Sequence, residues 1–296
     1  MFVAEKSGLS KPVLIEKDVL IHSLLEALCS SQDFLFNYLF KGGSCLVKCY
    51  FGYYRFSVDL DFTWRNQTVW VGMGKHKLRR RLLQETAKLG VLLEKVAQKF
   101  GLEFKNSPKD TKYFEFGSGC KMVTCKLWKV SEFTKIQVNF VEDVLFPTKT
   151  VTVKNLLDEA KLSNDDQAYF AEELSSYRQF SMDAYSEEEI LCEKVRAVFT
   201  RQGQKLRDFY DLYVLEKSGF KIEDLKEQAA AKIRSCLKYK RYRENLDKNR
   251  SSFLLGNVFE DPFERSLFVV EPPKDFDLFL KQVPKKFSDI IDSVVV

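Results

Sequence analysis

Long apolar segments are absent from this chain. No apolar run approaches the roughly 18 residues that a membrane-spanning helix needs. The opening residues, MFVAEKSGLSKPVLIEKD, also lack the apolar core of a secretory signal. We therefore expect neither a secretory route nor a membrane partner.

Cysteine is present, but without the spacing of a structural framework. The seven Cys residues are odd in number and include no C-x-x-C pair; they occupy positions 29, 45, 49, 120, 125, 192 and 236. This pattern argues against a disulfide scaffold and against a structural zinc site. Free thiols suit a reducing compartment, so we expect a cytoplasmic protein. Histidine is scarce as well, with His22 and His76 standing alone.

What remains is the composition of a globular protein. The 296 residues are 45% hydrophobic and 30% charged, and 26 of them are Phe. This is enough for one large domain or two of ordinary size. The net charge of +5 fits a phosphate-bearing partner, although this charge alone decides little.

The spacing of apolar residues divides the chain into two regions. It predicts helices over 13–29 and 73–100 and strands over 58–63, 111–116, 121–128 and 134–140, with Pro147 closing this β-rich half. Beyond about residue 180 it predicts only helices, at 190–201, 205–217 and 222–239, before a mixed tail from Phe253. We therefore predict an α+β fold, with an α+β domain over 1–180 and a mainly helical domain over 181–296.

Two acids stand two residues apart in the first predicted strand. Asp59 and Asp61 share a strand face, while Leu60 and Phe62 point to the other. Two close carboxylates repel each other unless a cation compensates. Mg²⁺ prefers such oxygen ligands together with substrate phosphates. A lone D-x-D pair is common, however, and a solvated edge strand would explain it equally well.

A glycine turn precedes these acids by fewer than twenty residues. Lys41-Gly42-Gly43-Ser44 leads into a short predicted helix that Ser44 would cap and that runs to Tyr50. Glycine lets backbone N–H groups approach a phosphate, and a helix N-terminus adds a positive dipole. Ser44 could donate its hydroxyl, and Lys41 adds charge. Together with the acid pair, this turn indicates a site for a metal-bound phosphate compound.

The segment FKGGSCLVKCYFGYYRFSVDLDF resembles the AbiEii/AbiGii toxin family of nucleotidyltransferases, which belongs to the polymerase-β-like superfamily. The family pattern is KGG-T/S, a short helix ending in Tyr, and then R-F-S-x-D-[LI]-D. The matching positions are Lys41, Gly42, Gly43, Ser44, Leu46, Tyr50, Arg55, Phe56, Ser57, Asp59 and Asp61. Upstream, Ile15-Glu16-Lys17-Asp18 looks like the N-terminal helix of the family.

The helical half carries a second block that resembles the family. It is Glu193-Lys194-Val195-Arg196-Ala197, then Arg201, then Arg207-Asp208-Phe209-Tyr210-Asp211-Leu212. Lys194 and Arg201 are seven apart and Asp208 and Asp211 are three apart, so we expect each pair on one helix face. Two interpretations stay open: Lys194 as a phosphate contact or proton acceptor, and a structural salt-bridge cluster. The resemblance covers roughly residues 10 to 217.

The resemblance implies a nucleotidyltransferase fold with a mixed β-sheet flanked by helices and a C-terminal helical bundle. It implies Mg²⁺ bound by Asp59 and Asp61, which are also catalytic, with Lys194 and Asp211 as further catalytic residues. The residues that it implies for NTP binding are Lys41, Gly42, Gly43, Ser44, Arg55, Ser57 and Arg201. The chain would be the toxin of a toxin–antitoxin pair, whose antitoxin acts without tight binding. It would transfer a nucleotide to a tRNA 3′ end or, as the next choice, to a protein hydroxyl.

One position departs from the superfamily pattern. These sites usually add a third acid from a later strand, and the candidate strand carries Gln137 there. An amide oxygen can ligate a metal but cannot accept a proton at neutral pH. Glu142 or Asp143 could serve instead, or Lys194 could act as the base. Alternatively the chain is an NTP-binding regulatory protein with weak or no transfer activity, or a partner that sequesters an antitoxin.

Two basic stretches could hold an RNA acceptor. Residues 238–243 (KYKRYR) interleave charge with aromatic rings, which suits RNA, and residues 75–81 are basic on a predicted helix. For each stretch alone, a solvated face is the simpler interpretation.

Overall fold

The chain forms two compact units. The structure, a computed structural model, describes residues 2–158, 160, 162–251 and 261–294. Unit 1 comprises Met1–Glu142 and Thr148–Ala184, and unit 2 comprises Asp143–Pro147 and Tyr185–Val296. The predicted boundary between residues 180 and 181 falls inside a strand, Phe180–Ala184, that lies wholly in unit 1. The domain assignment itself stays a prediction.

One mixed sheet organises unit 1. Within the described residues it has seven strands: β1 Tyr38–Lys41, β2 Asp59–Trp64, β3 Phe114–Gly117, β4 Met122–Lys129, β5 Glu132–Asn139, β6 Lys149–Val153 and β7 Phe180–Ala184. Their order across the sheet is β3-β4-β5-β2-β1-β7-β6. β2 and β5 are parallel, as are β1 and β7, and the other neighbours are antiparallel. The predicted mixed sheet is confirmed.

Strands β6 and β7 were not predicted from the sequence. Pro147 does not close the β-rich region, because β6 follows it and forms an antiparallel pair with β7. β7 then joins β1 through the register pair Phe40–Ala184. Apolar periodicity reports only on neighbouring residues in one segment. It therefore does not reveal a strand whose partner lies far away in the chain.

Seven α-helices of unit 1 lie within the described residues, and the two longest bury apolar side chains. The seven are α1 Phe2–Ser7, α2 Pro12–Cys29, α3 Gln32–Asn37, α4 Gly42–Cys45, α5 Lys75–Lys99, α6 Asn164–Tyr169 and α7 Ala171–Ser175. Pro12 stands in the first turn of α2, where its missing N–H costs no hydrogen bond. α5 buries Leu82, Leu89 and Leu93 along one side. The helices predicted over 13–29 and 73–100 are confirmed.

Unit 2 is helical. Its helices are α8 Glu187–Thr200, α9 Leu206–Lys217, α10 Lys226–Cys236, α11 Lys240–Ser251, α12 Pro262–Ser266 and α13 Lys274–Val294. α13 was missed in the mixed tail, although its buried positions recur at helical spacing; Pro284 interrupts the pattern. Residues 252–260 of that tail lie outside the described part of the chain. Among the described residues, no helix has the length and apolarity to span a bilayer.

A buried ion pair fixes the segment Asp143–Pro147 within unit 2. Lys232 and Glu189 are both fully buried and in contact. The other carboxylate oxygen of Glu189 accepts hydrogen bonds from the backbone N–H groups of Leu145 and Phe146, each at 2.8 Å. Removing one partner of such a pair leaves an uncompensated buried charge, so the pair supports the folded state of unit 2.

Candidate active site

The two acids lie side by side on one face of β2. Asp59 and Asp61 are half-buried there, whereas Leu60 and Phe62 are fully buried on the opposite face. Parallel β5 places position 135 beside Asp59 and position 137 beside Asp61. We call this side of the sheet the acid face; by alternation it carries residues 59 and 61 of β2 and residues 133, 135, 137 and 139 of β5.

The two glycines let the start of α4 approach the acid face closely. Gly42 has a φ of +78°, and a Cβ built there would lie 2.6 Å from Oδ2 of Asp61. A Cβ at Gly43 would collide with the guanidinium group of Arg55. The glycines therefore have a role inside the protein, since they make room for one acid and one arginine. Their predicted contact with a phosphate stays a prediction.

Ser44 does not cap the helix, because α4 already begins at Gly42, with Lys41 in the cap position. Its Oγ instead donates to the backbone carbonyl of Asp59 and lies 2.8 Å from Oγ of Ser57. A hydroxyl has only one proton to donate. Ser44 therefore ties α4 to the acid strand, and a contact with phosphate would require this bond to be exchanged.

Arg55 is an interior residue of unit 1. Its side chain is 1% exposed, and Nη1 donates to the carbonyl of Phe56 at 2.9 Å. The guanidinium carbon lies 5.7 Å from the centroid of the Tyr54 ring. Arg55 thus brings a permanent positive charge under α4, and its part in NTP binding stays a prediction.

The position predicted for a third acid is occupied by Gln137, directly beside Asp61 in the register of β2 and β5. A carboxylate is nevertheless available nearby. Glu142 Oε2 accepts from Asn139 Nδ2 at 2.6 Å and lies 3.3 Å from Nζ of Lys41. Because Lys41 and Asp61 are register partners in β1 and β2, Glu142 belongs to the same polar group.

A second charged cluster lies within unit 2. Lys194 of α8 contacts Asp208 at 2.8 Å and also contacts Asp211, so both acids of α9 do share a face. Arg201 contacts Asp208 too, but as the residue that caps α8 in an extended conformation rather than from the helix face. Burial would raise the pKa of Asp208, yet the charges of Arg201 and Lys194 outweigh it and hold this pKa below its usual value. The structure therefore contains the expected ion pairs, and a contact of Lys194 with phosphate stays a prediction.

Arg207 departs from this cluster. It belongs to the same sequence block as Asp208 and Asp211, but its guanidinium pairs with Glu264 of α12 at 3.5 Å. Its backbone N–H also donates to Glu264, at 3.1 Å. Both contacts anchor α12 to the start of α9.

A family model described as the nucleotidyl transferase AbiEii toxin of type IV toxin–antitoxin systems matches residues 24–293. The chain belongs to the AbiEii family. It is therefore a nucleotidyltransferase, and it is the toxin component of a toxin–antitoxin system that includes a cognate antitoxin.

Solved structures similar to this AbiEii chain include two nucleotidyltransferase-like proteins. A proposed nucleotidyltransferase from H. pylori is 16% identical, with 97% of each chain covered and a TM-score of 0.41. An antigenic nucleotidyltransferase-like protein from Paracoccidioides brasiliensis is also 16% identical, with 68% of this chain and 76% of that chain covered and a TM-score of 0.30. No curated protein matches the chain.

The AbiEii match runs further along the chain than the motifs. The resemblance was traced from about residue 10 to residue 217, but the match continues to residue 293 and so includes α10 to α13. Its start at residue 24 leaves Ile15-Glu16-Lys17-Asp18 outside.

One group in this AbiEii chain was not predicted from its sequence. Asp18 is buried and lies 2.7 Å from Nζ of Lys48, and it accepts hydrogen bonds from Tyr53 and Tyr177 at 2.9 and 3.1 Å. Lys48 lies in the π-helical segment Leu46–Phe51 that follows α4. The network therefore fixes α2 against the segment that carries the glycine turn. In the sequence, the feature that could have pointed to this network is Asp18 in the I-E-K-D motif.

The predicted basic stretches lie in different units. Residues 75–81 form the exposed start of α5 in unit 1. In unit 2, Tyr239 and Tyr242 contact each other edge to face at 5.9 Å at the start of α11. The tyrosines thus contact each other rather than standing apart as separate stacking surfaces. Binding of RNA by either stretch stays a prediction.

Proposed function

We propose that this toxin transfers a nucleoside monophosphate from an NTP to the hydroxyl of an RNA, with a tRNA 3′ end as the preferred acceptor. One observation carries the proposal. Asp59 and Asp61 stand together on an accessible sheet face, and the backbone of Gly42 is packed against Asp61. Acids next to a glycine turn at a helix start are suited to a metal-bound triphosphate.

Magnesium fits the donor set of the acid face. Among the described residues, no group of three or more His, Cys, Asp or Glu side chains is arranged to hold a metal. Mg²⁺ does not need one, because it commonly takes one or two carboxylates and completes its shell with waters and substrate phosphates. Asp59 and Asp61 would hold it, and Gln137 offers an amide oxygen beside them. Bound there, the ion would neutralise the triphosphate and polarise the α-phosphorus.

The reaction is an in-line displacement at the α-phosphorus. A bond forms between the acceptor oxygen and phosphorus, the bond from phosphorus to the bridging oxygen breaks, and pyrophosphate leaves. Lys41 and the amides of Gly42 and Gly43 would bind and orient the phosphates, and the buried Arg55 would contribute its positive charge from beneath the turn. Ser44 and Ser57 would position the acid strand and, after exchange of their mutual contact, the phosphates. The protein thus contributes placement and compensation of charge.

The acceptor proton needs a base other than Gln137. Of the alternatives, we favour Glu142, because its carboxylate is hydrogen-bonded to Asn139 on the acid face and borders Lys41. Lys194 is already engaged by two carboxylates, which argues against it as this base, and Asp143 stays an alternative. The roles expected for Lys194, Arg201 and Asp211 at the nucleotide stay predictions from the family resemblance.

We propose a cytoplasmic setting, which the toxin family and the cysteine thiols support. All seven cysteines are free, which suits the cytoplasm. We propose that the cognate antitoxin acts without forming a tight complex with the toxin. Co-purification of the two proteins as a stable complex would contradict this.

Incubation of the purified protein with total tRNA and each α-labelled NTP in turn tests the proposed reaction. We expect magnesium-dependent transfer of label to tRNA from one NTP, and loss of that transfer in Asp59→Ala/Asp61→Ala. Lys95→Ala, an exposed residue of α5, is the matched control. Undiminished transfer in the double variant would refute the proposal.

Gln137 favours a second candidate, an NTP-binding regulatory protein without efficient transfer. This alternative predicts binding of NTP by calorimetry, with no release of pyrophosphate for any RNA pool. A magnesium-dependent burst of pyrophosphate with total tRNA would exclude it. If NTP and magnesium caused no shift in melting temperature, both candidates would fail and a purely structural partner would remain.

A further inference from the structure

The acid face continues beyond Asp59 into an aromatic and basic surface. β5 runs parallel to β2 with Lys135 beside Asp59, and β4 pairs with β5 so that Lys126 lies opposite Lys135 and Trp128 opposite Phe133. Alternation puts all four side chains on the acid face, while the residues between them are buried on the other side. We call these four residues the β4–β5 platform.

The two rings of the platform form one continuous surface with cations at its edge. The centroids of Trp128 and Phe133 are 4.6 Å apart. Nζ of Lys126 and Nζ of Lys135 lie 5.8 and 5.7 Å from the centroid of Phe133. Lys135 is exposed and the other three residues are half-buried, so a ligand has access to both rings and charges.

The two lysines of the platform stand directly opposite each other, and their acidic neighbours, Asp59 beside Lys135 and Glu115 beside Lys126, compensate them only in part. Like charges directly opposite each other on paired strands are destabilising. Lys126 pairs with Glu115 at 3.2 Å, but that carboxylate is 68% exposed, and such surface pairs contribute little. Nζ of Lys17 donates to the carbonyl of Phe133 at 3.0 Å and adds a third ammonium group. An anion bound here would relieve the repulsion.

We propose that the β4–β5 platform binds the single-stranded 3′ end of the acceptor RNA. Phosphates would contact Lys126 and Lys135, and a base would stack on Phe133 and Trp128. Positive charge for the backbone combined with aromatic rings for the bases is how proteins hold single-stranded nucleic acid. This inference rests on the proposed function, in which the acceptor is an RNA.

Strand order assigns the platform to the acceptor rather than to the NTP. The sheet runs β4-β5-β2-β1, so the acids of β2 stand between the platform and the glycine turn that follows β1. In-line displacement needs the attacking hydroxyl and the leaving pyrophosphate on opposite sides of the α-phosphorus. An NTP at the turn and an RNA end on the platform satisfy that requirement. Lys135 is one strand spacing, about 4.8 Å, from the strand of Asp59.

Equilibrium binding of the full-length protein to total tRNA, without NTP, tests the platform. For Lys126→Gln/Lys135→Gln we expect at least tenfold weaker binding. The slope of log affinity against log salt should fall by about 1.4, because two contacts to single-strand phosphates are lost. Lys95→Gln/Lys99→Gln removes the same charge from α5 and should bind within about twofold of the unaltered protein. The shift in melting temperature caused by magnesium and NTP should be the same in all three proteins.

Phe133→Leu separates stacking from charge. We expect at least fivefold weaker binding of a 12-nucleotide single-stranded RNA, with the salt slope unchanged, and no change for a blunt RNA duplex.

Wild-type affinity in the lysine double variant, an equal loss in the α5 control, or a loss of NTP binding instead of RNA binding would each overturn the proposal. If the variants bind RNA normally while the wild type labels tRNA, the platform proposal alone fails. If binding depends on the platform but no RNA is ever labelled, the proposed transfer alone fails.

Discussion

Unit 1 and unit 2 each contain closely spaced carboxylates, but the surroundings of these charges differ between the two units. Asp208 is buried in unit 2 against Lys194 and Arg201, so its charge is compensated inside the protein. Asp59 and Asp61 are half-buried on the acid face, where solvent and ligands reach them. The comparison indicates that the acid face is open to a ligand, whereas the cluster of unit 2 is closed within the fold and stabilises it.

The largest expected effect is on catalysis in unit 1. Asp59→Asn/Asp61→Asn should lower the transfer rate at least 10³-fold, about 4 kcal/mol of transition-state stabilisation, because the metal site is lost. The melting temperature should stay the same or rise, since two neighbouring charges are removed. Label transfer and thermal unfolding of the same preparation measure both quantities. A large loss of stability would show that the two sets of acids do not differ as described.

The next effect is on stability in unit 2. Asp208→Asn should lower the free energy of unfolding by about 3 kcal/mol, because Lys194 and Arg201 lose a buried partner. Chemical denaturation measures it. The matched control is Asp275→Asn, whose carboxylate pairs with Lys217 at 2.5 Å but is 42% exposed. The stability cost of Asp275→Asn should be much smaller, because solvent screens this exposed pair. Equal costs for the two variants would contradict the assignment.

Acid should weaken unit 1 before unit 2. Burial and the nearby charge of Lys48 lower the pKa of His22 to about 4. The neutral imidazole therefore stabilises the fold fully above about pH 6.5, and this contribution, about 3 kcal/mol, is lost as pH falls towards 4. Asp208 has a lowered pKa, so its contribution is present above about pH 4 and is lost only on further acidification.

Tryptophan fluorescence can follow that difference, since Trp64, Trp70 and Trp128 are the three Trp residues of the chain and all lie in unit 1. Denaturation monitored by fluorescence should become easier between pH 6.5 and 4. His22→Gln should remove most of this dependence. If the variant retains the full pH dependence, another group is responsible.

The smallest expected effect is a difference in transfer activity between alanine variants of two glycines that both have a positive φ. Gly42→Ala and Gly101→Ala both place a Cβ at positive φ, +78° and +63°, and each should cost about 1 kcal/mol in stability. Only Gly42 would also press a Cβ against Asp61. Transfer should therefore fall about tenfold in Gly42→Ala and stay unchanged in Gly101→Ala. Equal activities would mean that the close approach to Asp61 does not matter.

Local patterns predicted much of this molecule. Apolar spacing located α2, α5, α8 and α9, and strand alternation placed Asp59 and Asp61 on one face. Patterns of the same kind gave wrong details wherever the partner was distant. Ser44 was expected to cap a helix, but its hydrogen bond goes to the carbonyl of Asp59. Arg201 was expected on a helix face, yet it is the C-terminal capping residue of α8 and contacts Asp208 from that position.

The sequence by itself determined α2, α5, α8 and α9, most strands, the acid pair and the family, because each depends on residues close together in the chain. Tertiary structure alone decided what those residues touch. It joined β7 to β1, buried Arg55 beneath Gly43, placed Glu142 against Lys41, and set Lys126 opposite Lys135. Each of these contacts joins segments separated by at least nine residues. Register and packing, rather than any periodicity of a single segment, create such contacts.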